Sequence, residues 1–180
     1  MALTRISNQS LTSVTALPAA IPTGKVLQVV NGVSTTKQSS SSTTHADVSG
    51  LSATITPASS SNKILVLVDV NMVSNASGSG STVKLLRDST VVTKTTTSGA
   101  NATAEAFNAG GGKTGTDPNR QKDTCTLSFL DSPSSTSALV YKVQFATTNA
   151  SNAAYVNGWA LNDDQASVST ITVMEIAAWL

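Results

Sequence analysis

Charge is scarce in this 180-residue chain: Asp, Glu, Lys and Arg together make up 12%, about half the share usual in a globular domain. Aromatic residues reach only 4%, and there is one cysteine and one histidine. Each shortage excludes something. A formal net charge of +1 gives no dense basic footprint for nucleic acid. No apolar run approaches the roughly 20 residues that cross a bilayer as a helix, so no membrane insertion is expected. A single Cys excludes an internal disulfide framework and any multi-Cys zinc site. Ten carboxylates and one His leave little raw material for acid–base chemistry, and neither cofactor nor metal is expected.

What is present is hydroxyl. The chain holds 27 Ser and 26 Thr, so hydroxyls rather than charges must solvate its surface. The first 21 residues carry one charge, Arg5, and never build the uninterrupted apolar stretch of an export signal. They lead into Leu17-Pro18-Ala19-Ala20-Ile21-Pro22-Thr23-Gly24. Two prolines four apart fix extended backbone and remove hydrogen-bond donors. Residues 1–24 therefore read as an N-terminal arm, either disordered or laid on a neighbouring subunit.

From residue 25 to 180 the text is a succession of short strand signals divided by Ser, Thr, Gly and Asn clusters. Lys25 to Val33 is Val-rich. Leu51 to Thr56 alternates apolar and hydroxyl residues until Pro57 closes it. Ile64-Leu65-Val66-Leu67-Val68-Asp69-Val70 is nearly all apolar, the pattern of a strand buried on both faces. Val83 to Asp88 and Thr90 to Lys94 form a hairpin around Arg87-Asp88-Ser89. Cys125, Leu127 and Phe129 share one face, as do Leu139, Tyr141, Val143 and Phe145. Short strands near Ala153 to Asn157 and from Val168 to Ile176 complete eight or nine. The expected fold is all-β, an antiparallel β-sandwich of jelly-roll or Greek-key type with an extended N-terminal arm. Residues 98–122 break the rhythm as one long Gly/Ala-rich loop, which is either a binding loop, an intersubunit strap or disorder.

Chemistry-bearing motifs are weak. Gly110-Gly111-Gly112-Lys113-Thr114 lacks the earlier glycine of a phosphate loop, where Phe107 stands. His45 and Asp47 share a strand face near many serines, yet no Gly-x-Ser-x-Gly supplies a nucleophile turn. Asp163-Asp164 with Asp131 or Asp117 offers carboxylates to calcium, but ordinary turn chemistry explains it. Glu105 and Glu175 stand in different segments, and Cys125 reads as a small core residue. Tyr155 and Trp159 flank Asn157-Gly158 as a candidate glycan contact, or else as buried rings. The C-terminus stays apolar to Trp179 and Leu180, a candidate subunit interface.

Several stretches resemble the β-sandwich modules of small virion structural proteins of tailed bacteriophages, notably marine and cyanobacterial ones. They are Gly24-Lys25-Val26-Leu27-Gln28-Val29-Val30, Val48 to Pro57, Ser61 to Val66, Leu85-Leu86-Arg87-Asp88, Phe129 to Pro133, Tyr141 to Phe145 and Ile171 to Ile176. The resemblance implies a non-enzymatic tail-fibre, head-fibre or capsid-decoration subunit, often a homotrimer, attached by its arm to capsid, neck or tail proteins. It implies localisation in the virion after assembly in the bacterial cytoplasm, and it carries over no catalytic residue. The arm would attach by burying Leu3, Ile6, Leu11, Val14, Leu17 and Ile21. The alternative is a host receptor- or glycan-binding tail-fibre module with Tyr155 and Trp159 at its tip.

Overall fold

The computed structural model describes residues 25–74, 80–93, 108–110, 122–158 and 166–178. These form β1 (Val26–Ser34), β2 (Gln38–Ser40), β3 (Ala46–Ile55), β4 (Lys63–Ser74), β5 (Ser81–Arg87), β6 (Thr90–Val91), β7 (Asn108–Gly110), β8 (Lys122–Asp131), β9 (Leu139–Thr147), β10 (Ala154–Val156) and β11 (Ser169–Ile176). Among the described residues there is no helix.

One sheet runs β1-β11-β4-β8. Beyond Asp69 the edge of β4 is taken over from β11 by β10, and β2 pairs β10 as β1 pairs β11. The second sheet runs β3-β9-β5, with β6 and β7 on the free side of β5. Every pairing is antiparallel. The chain alternates between the sheets: β1 and β2 in the first, β3 in the second, β4 back, β5 to β7 across, β8 back, β9 across, β10 and β11 home. That alternation, with each sheet joining strands distant in sequence, is a jelly roll.

Alternation builds the core. Ile64, Val66, Val70, Met72, Ile171 and Val173 face Leu51, Ile55, Val83, Leu85, Tyr141 and Val143, all fully buried. Aliphatic and aromatic side chains at every second position make one side of each strand apolar, and the two apolar sides close on each other. At the corner where β1 approaches β3, Gly32 packs so tightly that any Cβ would strike the Ser52 carbonyl oxygen. Gly50, with φ of +79°, supplies the left-handed residue at the irregularity of β3 between Asp47 and Ser52.

The break between β10 and β11 has its own fastener. Asn157 is buried with φ of 62° and donates from Nδ2 to the Ser34 carbonyl at 2.8 Å and to Ser34 Oγ at 3.0 Å. Ser169 Oγ donates to its Oδ1 at 2.6 Å, and the Ser167 amide to its carbonyl. One side chain thus joins the end of β1 to the start of β11.

Three differences from the sequence expectation have physical causes. β2, β6 and β7 are too short to show a period, so the hairpin after Arg87 is briefer than expected and a strand lies inside the 98–122 segment. β3 begins at Ala46, because hydroxyls and Gly50 mask its first half. Most important, residues 64–70 are not buried on both faces. Ile64, Val66 and Val68 are interior, but Leu67 is 36% exposed and Leu65 only partly covered. No described segment of this chain lies over the outer side of β4.

Candidate interaction surface

The uncovered side of the first sheet carries an apolar row. The register places Val29 beside Met174, Met174 beside Leu65, and Leu65 beside Leu130. All four therefore share the outer face, one from each of four adjacent strands. Val29 is 55% and Leu130 56% exposed. Leu67 and Val33 extend the patch toward one end, and Val26 and Leu27 toward the end where the chain enters β1. An apolar patch contiguous across a sheet marks an interaction site, whereas single exposed leucines do not.

Beside the row lies a shallow groove of about 420 Å³, its outward lining made by Leu67, Asp69, Thr126, Ser128, Thr170 and Thr172. One carboxylate oxygen of Asp69, Oδ1, is buried there with no hydrogen-bond partner among the described residues. A buried acceptor without a donor costs on the order of 1–3 kcal/mol.

The remaining polar clusters hold the fold together. Glu175 on β11 is fully buried, with no basic partner among the described residues. Its Oε1 accepts from the Ala58 amide at 2.7 Å and from Asn62 Nδ2 at 2.5 Å, and its Oε2 from Gln28 Nε2 at 2.6 Å. Burial pushes the carboxyl up, but these donors, with the Ser59 amide, outweigh it and hold Glu175 below the ordinary carboxylate range. The cluster ties β1, the 56–62 connection and β11 at the end where the chain enters β1.

At another point Asp131 on β8 accepts from the Tyr141 hydroxyl at 2.7 Å and from the Arg87 guanidinium, with the Ser132 amide on its other oxygen. Burial, then the Asp131 carboxylate, push the Tyr141 hydroxyl far above its ordinary range. The phenol stays protonated as a donor linking the sheets. Tyr141→Phe is expected to lower the unfolding free energy by about 1.5 kcal/mol, the lower bound for a hydrogen bond to a charged group, because Asp131 keeps two other donors. Urea titration reads it as a lower midpoint at unchanged slope.

His45 Nε2 lies 2.9 Å from the Thr82 hydroxyl, while Asp47 accepts from Lys142 Nζ at 2.9 Å and Gln144 Nε2 at 2.7 Å. Burial raises the Asp47 pKa, but these two partners outweigh it, for a net depression. Cys125 is buried in the core with Sγ 3.8 Å from Met72 Sδ. Asp131, a calcium candidate, is instead committed to Tyr141 and Arg87. Among the described residues no group of three or more metal-ligating side chains occurs. Tyr155 is half-buried on the outer face of β10, with the Lys37 ammonium 5.7 Å from its ring centre, a cation–π distance. Leu3, Ile6, Leu11, Val14, Leu17, Ile21, Trp159, Asp163, Asp164, Trp179 and Leu180 lie outside the described residues, as does the 98–122 loop apart from 108–110 and Lys122, where β8 begins.

The apolar row went unread in the sequence. Its signal was there in Leu65 and Leu67, which occupy the positions an outward face should give to hydroxyls, and in Leu130, which leaves the face of Cys125, Leu127 and Phe129.

No protein-family model matches the chain, and a search of curated proteins returns no match. Solved structures do resemble it in fold. Eiger TNF from S. frugiperda aligns over 87% of this chain and 96% of its own, with a TM-score of 0.43 and 10% identity. The VP2 subviral particle of infectious bursal disease virus aligns over 84% of this chain with a TM-score of 0.44 and 12% identity. This chain spans 38% of that VP2 chain's length.

Proposed function

We propose that this chain is a non-enzymatic virion structural protein of a tailed bacteriophage, a homotrimeric short fibre, knob or capsid-decoration subunit attached by its N-terminal arm. The observation that carries the reading is the apolar row Val29–Met174–Leu65–Leu130 on the outer face of a sheet that no described segment covers. A surface of this kind belongs to a protein that works packed against others. The hydroxyl-rich, charge-poor composition supports the same reading, since many copies side by side on a particle avoid mutual repulsion. The sequence resemblance to phage virion modules supplies the particular class, and its matching stretches fall on β1, β3, β4, β5, β8, β9 and β11.

The mechanism is attachment by buried area. Leu3, Ile6, Leu11, Val14, Leu17 and Ile21 leave water as the arm is ordered, and the apolar gain must exceed the cost of ordering. The test pairs two measurements. Light scattering on the purified protein is expected to give three times 18.3 kDa, and the arm variant Leu11→Ser/Val14→Ser/Leu17→Ser is expected to be lost from particles that incorporate the unmodified chain. A monomer at every concentration, together with full incorporation of the variant, would overturn the proposal.

A further inference from the structure

We infer that the outer face of the β1-β11-β4-β8 sheet is the seat of the N-terminal arm of a neighbouring copy, so that copies of the chain are joined by arm exchange. This rests on the attachment role proposed for the arm and names the surface it meets. Four observations select that occupant.

First, the size of the face. Four strands about 4.8 Å apart, over some eight residues of about 3.3 Å, present on the order of 500 Å². A stable face-to-face pair of proteins buries roughly 800 Å² on each side. The face is small for a second sheet and suited to a single strap.

Second, the chemistry. The seat is an apolar row beside a groove lined by the hydroxyls of Thr126, Ser128, Thr170 and Thr172. The arm carries both complements within a few residues: Leu11, Val14 and Leu17 recur at three-residue steps, with the hydroxyls of Thr12, Ser13 and Thr15 between them. Such steps place apolar side chains along one side in a polyproline II segment, with three residues per turn, or in a helix. The face also offers few charged residue types, Lys63 and Asp69 on β4, and residues 1–24 carry only Arg5 as a charged side chain.

Third, the point of departure. The arm joins β1 at Lys25, where Val26 pairs Ile176 at the end of the sheet. Val26 and Leu27 continue the exposed apolar patch up to that point. Fourth, reach and direction. At about 3.3 Å per residue, 24 residues extend to nearly 80 Å, well beyond a domain of this size. Pro18 and Pro22 fix φ and remove backbone donors, a chemistry that favours a strap over a further strand of the chain's own sheet. Exchange of an identical element between protomers needs no second kind of surface.

The test uses the full-length chain with Val29→Cys or Leu130→Cys as a reporter, the natural Cys125 being buried. Maleimide labelling is followed across a dilution series, with and without Leu11→Ser/Val14→Ser/Leu17→Ser in the arm. Arm exchange predicts labelling roughly tenfold slower at high concentration, as nine-tenths occupancy leaves one site in ten open. That protection is lost on dilution and lost in the arm variant. Equal labelling of both chains would overturn the inference. So would protection that survives dilution, which means each arm covers its own sheet, or protection that survives in the arm variant, which means the sheets meet face to face. Particle incorporation reads the attachment role separately. A variant that labels like the parent but fails to incorporate leaves the proposed function standing and removes this seat.

Discussion

Glu175→Ala is expected to lower the unfolding free energy by about 3 kcal/mol, a substantial part of the 5–15 kcal/mol typical of a whole domain. The side chain is fully buried, and its two oxygens collect donors from Gln28, Asn62 and the backbone of Ala58. Truncation leaves those donors facing a void, and each unsatisfied buried donor costs on the order of 1–3 kcal/mol, less where water follows it in. Glu175→Gln keeps the shape and replaces one acceptor with a donor, so about half the loss is expected. The consequences extend along the chain, because Asn62 also accepts from the Ala178 amide and Gln28 also donates to the Thr56 carbonyl.

The same group sets a pH dependence. The Glu175 carboxyl lies below its ordinary value of 4.5 in the folded chain. The folded state therefore holds its proton less tightly than the unfolded one. Its stabilisation is complete above the unfolded value near 4.5 and is lost as pH falls through the depressed folded value. Thermal unfolding between pH 7 and pH 3 is expected to show the midpoint falling in the acid part of the range. The fall should be shallower in Glu175→Gln. Parallel curves for the two proteins would show that other carboxylates carry the acid sensitivity.

Gly32→Ala is the second large loss, expected at about 3 kcal/mol, the upper end of overpacking costs. The methyl group would enter space held by the Ser52 carbonyl oxygen and Ile171 Cγ2. The first of these is backbone, which cannot rotate away as a side chain does. Relief requires β1 to move off β3, and β1 supplies Val29 to the apolar row and joins the arm to the domain. A lower urea midpoint should therefore be accompanied by weaker self-association. A stable Gly32→Ala protein with an unchanged midpoint would mean the corner yields more easily than its packing implies.

The strands were legible where a period of two ran long enough. Leu51 to Ile55, Cys125 to Phe129 and Leu139 to Phe145 alternate, and the interior takes the faces their apolar residues mark. Length and turn chemistry gave the sandwich. Ile64 to Val70 shows where that reading runs out. An unbroken apolar run says that both sides of a strand want cover, but not whether the chain itself supplies it. Here it covers only Ile64, Val66, Val68 and Val70 fully. The error and the apolar row are the same fact, since Leu65 and Leu67 are apolar positions that no described segment covers.

The polar clusters were hidden for another reason. Glu175 meets partners 113, 117 and 147 residues away, and no local pattern announces such a meeting. Asn157 stood out in the sequence only as part of the Asn157-Gly158 pair between Tyr155 and Trp159, and nothing there announces its positive φ. Its use as the clasp between Ser34 and Ser169 depends on the break that separates β10 from β11. The hydroxyl richness reads differently with the fold in hand. Ser and Thr line the outward groove beside the row, at Thr126, Ser128, Thr170 and Thr172, as well as solvating turns.

The most direct measurement of the central claim is the copy number of this chain in purified phage particles, by quantitative mass spectrometry across a density gradient. The expected result is co-sedimentation with the particle band at a fixed number of copies divisible by three. Recovery only in the soluble fraction, with none in the particle band, would contradict a virion structural role.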